Sequence, residues 1–300
     1  MRRLDPLTAL EHEHLMIRDR IRAVAAHAQN GLLIFGPPGT SKSWLVRTTL
    51  QKAGVPWIEK NGNLSEVGLF DLLEQYHNWV IVLDDLTALF GQPKALQILL
   101  AALGNQANGR GRLVTHKHAR ADRSFVFTGG IIATSNINLR ESTDPVVQAL
   151  ADRMHLLKYD PSNEQLKAKI YALAKQGVAG VAPRPCKMVA DFMFKVLPEG
   201  ARPTLRLFID KLLPDYTFWE SGNSESHWRD LVRSTVLSQL TTLTEPTRKL
   251  RRQDKTASER HIVAEILSTT DDAKEQIKLW GVRTGKSQSA FYRRKSELAM

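Results

Sequence analysis

Cysteine is nearly absent. Cys186 is the one cysteine in 300 residues, which excludes an internal disulfide framework and fits a reducing, cytoplasmic setting. No uninterrupted apolar run reaches the length that a membrane-spanning helix needs, so no membrane partner is expected. The opening stretch Met1 to Pro6 lacks the apolar centre of a secretory signal. Internal repeats and low-complexity tracts are also missing. What is present is an ordinary apolar content of 42%, enough for packed cores in a chain whose length suggests two or three domains. Basic residues outnumber acids, 42 against 31, for a net charge of +11. That balance points toward a polyanionic partner.

Apolar periodicity predicts a helix from about Pro6 to Asn30. It predicts strands at Gly31 to Phe35, around Val55 to Glu59, at Trp79 to Leu83 and at Gly130 to Thr134. Helical patterns lie between them, including Ser65 to Glu74 and Lys94 to Leu103. Such alternation argues for an α/β class with a three-layer, mainly parallel sheet. From Pro161 the strand signals stop. Helices are expected at Asn163 to Lys175, Pro185 to Val196 and Arg202 to Leu213, with Pro214 to Glu245 as an extension in which Trp219 and Trp228 pack. Pro246 to Lys255 reads as a basic linker, and a last helical unit follows. The expected division is a nucleotide-binding core at 1–160, a helical lid and extension at 161–245, the linker at 246–255, and a terminal all-α domain at 256–300.

Three segments carry chemistry. In the first, an apolar run ends in Gly36-Pro37-Pro38-Gly39-Thr40-Ser41-Lys42-Ser43 and passes into the helical stretch that begins at Trp44. Strand, glycine-rich turn and helix N-terminus make a phosphate-binding loop. The non-proline backbone N–H groups of the stretch Gly36 to Trp44 can wrap a phosphate, Lys42 can reach the β- and γ-phosphates, and the Ser43 hydroxyl can ligate Mg2+. Ser41 stands where a glycine is usual, and serine resists a left-handed backbone. In the second, Trp79 to Leu83 forms a buried strand ending in Asp84 and Asp85, at the end where open α/β sheets place ligands. Asp84 suits the Mg2+ shell, and Asp85 could polarise an attacking water, though it is one methylene shorter than glutamate. In the third, Ile131 to Asn136 is another buried strand, and Asn136 could bond the γ-phosphate or orient the water.

In order and spacing these segments resemble the AAA+ ATPase family, over roughly residues 10 to 215. Gly36 to Ser43 is similar to its Walker A loop, the run ending at Asp84-Asp85 to its Walker B strand, and Ile131 to Asn136 to its sensor 1 strand. The resemblance implies ATP and Mg2+ as cofactors and hydrolysis to ADP and phosphate. It also implies two arginines. Arg153 falls where an arginine finger would reach a neighbouring subunit's nucleotide. Arg206 falls where sensor 2 would contact the γ-phosphate in cis, with Arg202 as competitor. Both would stabilise charge on the transferring phosphoryl group.

Between the second and third segments lies a cation-rich stretch with β-forming flanks at Arg112 to His116 and Ser124 to Thr128. It reads as a hairpin with a cationic tip, and is placed like the hairpin before sensor 1 in a large AAA+ branch that includes ring helicases. On that reading Arg112, Lys117, His118 and Arg120 would contact a nucleic-acid backbone. The C-terminal unit resembles a helix-turn-helix module: a helix at Ser258 to Leu267, another at Asp271 to Leu279, a turn containing Gly281, then a recognition helix from Ser287 to Leu298. Ser289, Tyr292, Arg293 and Lys295 would face a groove while Phe291 and Leu298 pack inward, with Arg283, Lys286 and Arg294 adding to the phosphate-binding set. The expected function is therefore an ATP-hydrolysing protein acting on DNA as a ring or filament, helicase-like, translocase-like or remodelling. Two alternatives stand beside it. One is an ATP-switched, DNA-bound adaptor that recruits a helicase, a transposase or another replication protein. The other is a protein-remodelling chaperone.

Overall fold

The computed structural model describes residues 4–62, 64–85, 89, 91–104, 111–118, 121–244, 262–267, 269–270, 272–284 and 287–298. The chain divides into two compact units, 1–239 and 240–300.

The first unit is built on five parallel strands: β1 (Gly31–Phe35), β2 (Trp57–Asn61), β3 (Val80–Asp84), β6 (Gly130–Ser135) and β7 (His155–Lys158), in the order β2-β3-β6-β1-β7. Parallel pairing needs crossovers, and these are helices on both faces. Leu32 and Ile34 of β1, Val80 and Val82 of β3, and Ile132 of β6 turn to one face. There they meet α1 (Pro6–Ala25) and α2 (Lys42–Ala53). Leu33, Ile81, Leu83, Ile131 and Ala133 turn to the other, against α3 (Glu66–Gln75), α4 (Pro93–Leu103) and α5 (Pro145–Arg153). The two-residue alternation of the strands thus fills two cores. The order of the strands brings β1 between β6 and β7, so chain connections leave β1 and β6 in opposite directions. That reversal opens the crevice in which such sheets bind ligands.

An antiparallel hairpin, β4 (Arg112–His118) with β5 (Ala121–Phe127), is inserted before β6. It is not an isolated ribbon. Val114 and Phe127 are fully buried in the same core as α3 and α4, while Leu113 and Val126, paired across the strands, are half exposed on the other face.

The helical region after the sheet comprises α6 (Asn163–Gln176), α7 (Pro183–Val196), a composite helix α8 and α9 (Trp228–Thr244). Ser162 opens α6 with a capping box closed by Gln165. The sequence expectation for α8 needs correction. The helix begins after its N-cap Thr204 and not at Arg202, since a residue before a proline disfavours helical backbone. The helix also continues through Pro214. Its Leu205–Leu207 turn passes into a π-turn at Phe208–Leu212, where Leu213 N–H reaches back to Phe208, and then into Leu213–Glu220. A wide turn of that kind accommodates a proline that can donate no bond of its own. Trp228 packs as expected, with Phe192 and Tyr216 edge-on to it.

Two strand expectations also shift. β2 lies two residues later than its signal, and β7 was not anticipated. β7 has four residues, begins in His and ends in Lys, and is half exposed on the sheet edge, so it carries no alternation to detect.

The second unit contains helix α10 at 262–267, α11 (Ala273–Thr284) and α12 (Gln288–Leu298), around Val263, Ile266, Trp280 and Phe291. Gly281 lies inside α11 rather than in a turn. The expected linker 246–255 lies outside the described residues.

Candidate nucleotide-binding site

The loop after β1 owes its shape to four residues. A side chain on Gly36 would place its Cβ 2.0 Å from the Tyr159 carbonyl oxygen, because Tyr159 N–H continues the β7 ladder onto Phe35. Gly39 has φ +75 and lies against Thr204, the N-cap of α8. Thr40 is buried and its hydroxyl donates to Pro37 O, bracing the loop from within. Ser41 then adopts φ 74, ψ 27. The residue that replaces the usual glycine therefore occupies the left-handed region, a conformation costing a non-glycine residue about 1 kcal/mol or more.

Lys42 begins α2 and is largely buried. Its ammonium donates to Gly36 O and Pro37 O, each at 2.8 Å, and to Asn136 Oδ1 at 3.3 Å. Burial, with the nearby Arg206 cation, pulls its pKa down to about 8 against the opposing pull of Asp84 and Asp85. Ser43, one residue on, donates to Asp84 Oδ1 at 2.5 Å. Loop, β3 and β6 thus meet at the C-terminal edge of the sheet, where they line a cavity of about 680 Å3. That volume is ample for a nucleotide-sized ligand.

Of the expected site residues, Pro38, Gly39, Thr40, Ser41, Lys42, Ser43, Trp44, Asp84, Asp85, Asn136 and Arg206 all line this cavity. Asp85, like Ser41, has a positive φ, 61°. Arg206 reaches the cavity from the first turn of α8, while its competitor Arg202 is held by Asp160 and the Pro161 carbonyl. Helix α8 is tied to the loop directly, since Leu205 N–H donates to Gly39 O at 3.1 Å. Arg153 does not line the cavity; it is exposed at the end of α5, bonded to the Leu100 carbonyl.

Sequence reasoning missed Arg47, which makes a two-toothed bond to Glu59 at 2.6 and 2.7 Å and stands 3.8 Å from Asp84 Oδ2. Its signal was the four-residue spacing from Ser43 on one helix face. It also missed Thr134 and His14, both at the cavity wall. His14 is buried with its Nε2 2.8 Å from the Tyr159 hydroxyl, and burial pulls its pKa down to about 4.

One expected hairpin contact departs from expectation. Arg112 does not reach a nucleic-acid-facing tip. It is buried at the hairpin base, donating to Asn30 Oδ1 at 2.6 Å and to the Gly129 carbonyl, over the Phe127 ring. A guanidinium held by interior acceptors cannot also reach a phosphate. His116 is turned onto Glu66 at 2.7 Å, and Arg123 onto Asp71 and Glu74. Lys117 and His118 end β4; their side chains, and Arg120, lie outside the described residues. In the second unit Ser289, Tyr292 and Arg293 are exposed, but Lys295 folds back to Gln276 Oε1 at 3.2 Å and over Phe291. Lys286 and the side chains of Arg283, Arg294 and Leu298 lie outside the described residues.

A parallel sheet in this order, with a phosphate loop after β1 and an acidic pair after β3, defines the class as a P-loop nucleoside-triphosphatase fold. By fold and by the order of its site elements, the chain is similar to AAA+ ATPases, with a hairpin inserted before β6. Comparison with known proteins agrees with that class. No protein-family model matches the chain. The ATP-dependent zinc metalloprotease FtsH 2 of Symbiobacterium thermophilum is 41% identical over 58 residues, 19% of this chain and 10% of that protein. The ATP-dependent zinc metalloprotease FtsH of Cutibacterium acnes is 26% identical over 206 residues, 62% of this chain and 28% of that protein. The chain thus spans about a tenth and just over a quarter of the lengths of these relatives. Among solved structures, the Orc1 protein of Aeropyrum pernix in complex with DNA superposes with a TM-score of 0.50 at 15% identity, over 97% of this chain and 82% of that one.

Proposed function

We propose that the chain binds ATP with Mg2+, hydrolyses it between neighbouring copies in a ring or filament, and uses the cycle to act on DNA. One observation carries the nucleotide part: Lys42 with Ser43, Asp84 and Asn136, from three separate stretches of the chain, converge on a single cavity beside the phosphate loop. The donor set fits Mg2+. Two hard oxygens, the Ser43 hydroxyl and an Asp84 carboxylate oxygen, meet at 2.5 Å. Those two residues would hold the ion, which when bound neutralises charge on the phosphates.

The chain's own groups supply the rest. Loop N–H groups bind phosphate oxygens at the α2 N-terminus. Lys42 exchanges its bonds to Gly36 and Pro37 for bonds to the phosphates. Asn136 fixes the lysine and orients water, and Asp85 takes up the water proton. Arg206 adds positive charge from the lid, and Arg153 adds it from a neighbouring copy.

The DNA part is supported by the net charge of +11, by Lys117 at the far end of the hairpin, and by the exposed Tyr292 and Arg293 on α12. The same reading divides the chain into a core, a lid and terminal DNA-binding helices, and sets it in the cytoplasm. Among the described residues no helix is long and apolar enough to cross a membrane. The test is ATP turnover with and without DNA. Turnover that rises with DNA, persists after removal of 256–300 and loses its DNA response in Lys117→Ala supports the reading. Turnover indifferent to DNA removes its DNA half.

A second reading, the ATP-switched adaptor, is favoured by the positive φ of both Ser41 and Asp85. Strained positions at the loop and at the water-facing acid suit slow hydrolysis. Strand displacement decides: a motor moves alone, an adaptor only with its recruited partner.

A further inference from the structure

Thr134 lies within the Ile131 to Asn136 segment but was given no role there, yet its hydroxyl joins both acids at the end of β3. It is buried on β6, just past the last residue pair between the two strands, Leu83 opposite Ala133. Beyond that pair a side chain continues the ladder. The Thr134 hydroxyl donates to Asp84 Oδ1 at 2.5 Å and accepts the backbone N–H of Asp85 at 3.2 Å. The roles are fixed by chemistry, since a carboxylate only accepts and an N–H only donates. The same Asp84 oxygen takes the Ser43 hydroxyl at 2.5 Å. Asp85, held through its N–H, stands at φ 61, a backbone state uncommon for residues with a Cβ, which aspartate adopts more readily than most.

We propose that Thr134 is a positioning residue. Its hydroxyl fixes the Asp84 carboxylate toward Mg2+ and pins the left-handed turn that presents the short Asp85 side chain to the cavity. The inference rests on the Mg-nucleotide reading of that cavity. Valine has the shape of threonine without the hydroxyl. It leaves the Asp85 N–H without this acceptor and frees Asp84 to turn, while the loop, Lys42 and the lid keep their own contacts. The loss should therefore fall on the metal-dependent part of binding and on turnover, and spare nucleotide binding without metal.

Wild type, Thr134→Val and Thr134→Ser are compared in three measurements: ADP calorimetry with and without Mg2+, Mn2+ binding by electron paramagnetic resonance in the presence of ADP, and turnover against Mg2+ concentration. In Thr134→Val, Mn2+ affinity is expected to fall about tenfold or more, as for a lost bond to a charged group. The Mg2+ needed for half-maximal turnover should rise in step, kcat should drop, and metal-free ADP binding should be unchanged. Thr134→Ser should restore the wild-type values. A valine variant with wild-type Mn2+ affinity overturns the proposal, as does a serine variant as impaired as valine, which would assign the effect to methyl packing. Should the valine variant fail to fold by circular dichroism, Thr134→Ala against Thr134→Ser makes the same comparison. Wild-type protein that binds no ADP even with Mg2+ sinks the nucleotide reading and this inference together, a failure separate from one confined to the valine variant.

Discussion

The cavity and the hairpin are both rich in charge, but they handle it in opposite ways. At the cavity the cations stand beside open space, with Lys42 caged by loop carbonyls it can exchange and Arg206 reaching in from the lid. At the hairpin the described arginines are turned inward or onto acids: Arg112 into the core, Arg123 onto α3. A cation count therefore says little until the end of each side chain is located. A guanidinium with an apolar stem and five donors serves as readily to tie a hairpin to a helix as to hold a phosphate.

The largest effect should come from the cavity. Lys42→Ala is expected to lower nucleotide affinity or turnover by about a hundredfold or more, since it removes the buried charge that the proposed function sets against the phosphates, with calorimetry and phosphate release as readouts. If Lys42→Ala protein supplies Arg153 to sites in Arg153→Ala protein, mixing the two inactive variants should recover part of the turnover. No recovery would deny Arg153 a role across subunits.

Next comes the hairpin. Arg112→Met should cost about 2 kcal/mol in urea unfolding, because Asn30 and the Gly129 carbonyl lose a buried charged donor, and should leave DNA-stimulated turnover per folded molecule unchanged. A variant as stable as wild type but deaf to DNA would overturn the contrast between the two regions.

The third test is pH. Lys42 has its pKa lowered from 10.5 to about 8. Between those values the unfolded chain binds more protons than the folded one, so stability of the ligand-free fold rises with pH across that window. On the proposed function, nucleotide binding draws on the ammonium and should weaken as pH passes about 8. Opposite trends in unfolding and in fluorescent-nucleotide titrations would identify Lys42, and Lys42→Met should abolish both. His14 works at the acid end. Its pKa lies at about 4 against an ordinary 6.5, so its contribution is present above 6.5 and is lost as pH falls toward 4. His14→Gln should flatten that part of the stability profile.

The smallest effect is expected from Arg123→Ala. Its two ion pairs are exposed, and exposed pairs contribute little. Thermal unfolding should barely move, which would set it apart from Arg112.

Much of the site was legible beforehand because its chemistry is local. Gly36 to Ser43 encodes a loop, a lysine and a hydroxyl within eight residues, and the strand ends carrying Asp84 and Asn136 follow from apolar runs that stop at polar residues. The composite helix α8 was partly misread. Pro214 looks like a stop, and only the packing of Leu205, Phe208 and Leu212 shows why a π-turn carries the helix through it. Thr134 was illegible in principle. One threonine in a buried strand is ordinary, and its meaning arises from β3 lying beside β6.

By itself the sequence determined the alternation of strands and helices, the phosphate loop and the acids at a strand end, because these follow from periodicity and from backbone needs met within a few residues. Only the tertiary structure decided that Ser41 and Asp85 take left-handed conformations, that Arg206 and not Arg202 reaches the cavity, and that Arg112 is buried. Each of those outcomes depends on which neighbour occupies the space around a side chain, and strand order, unlike periodicity, is set by contacts between residues far apart in the chain.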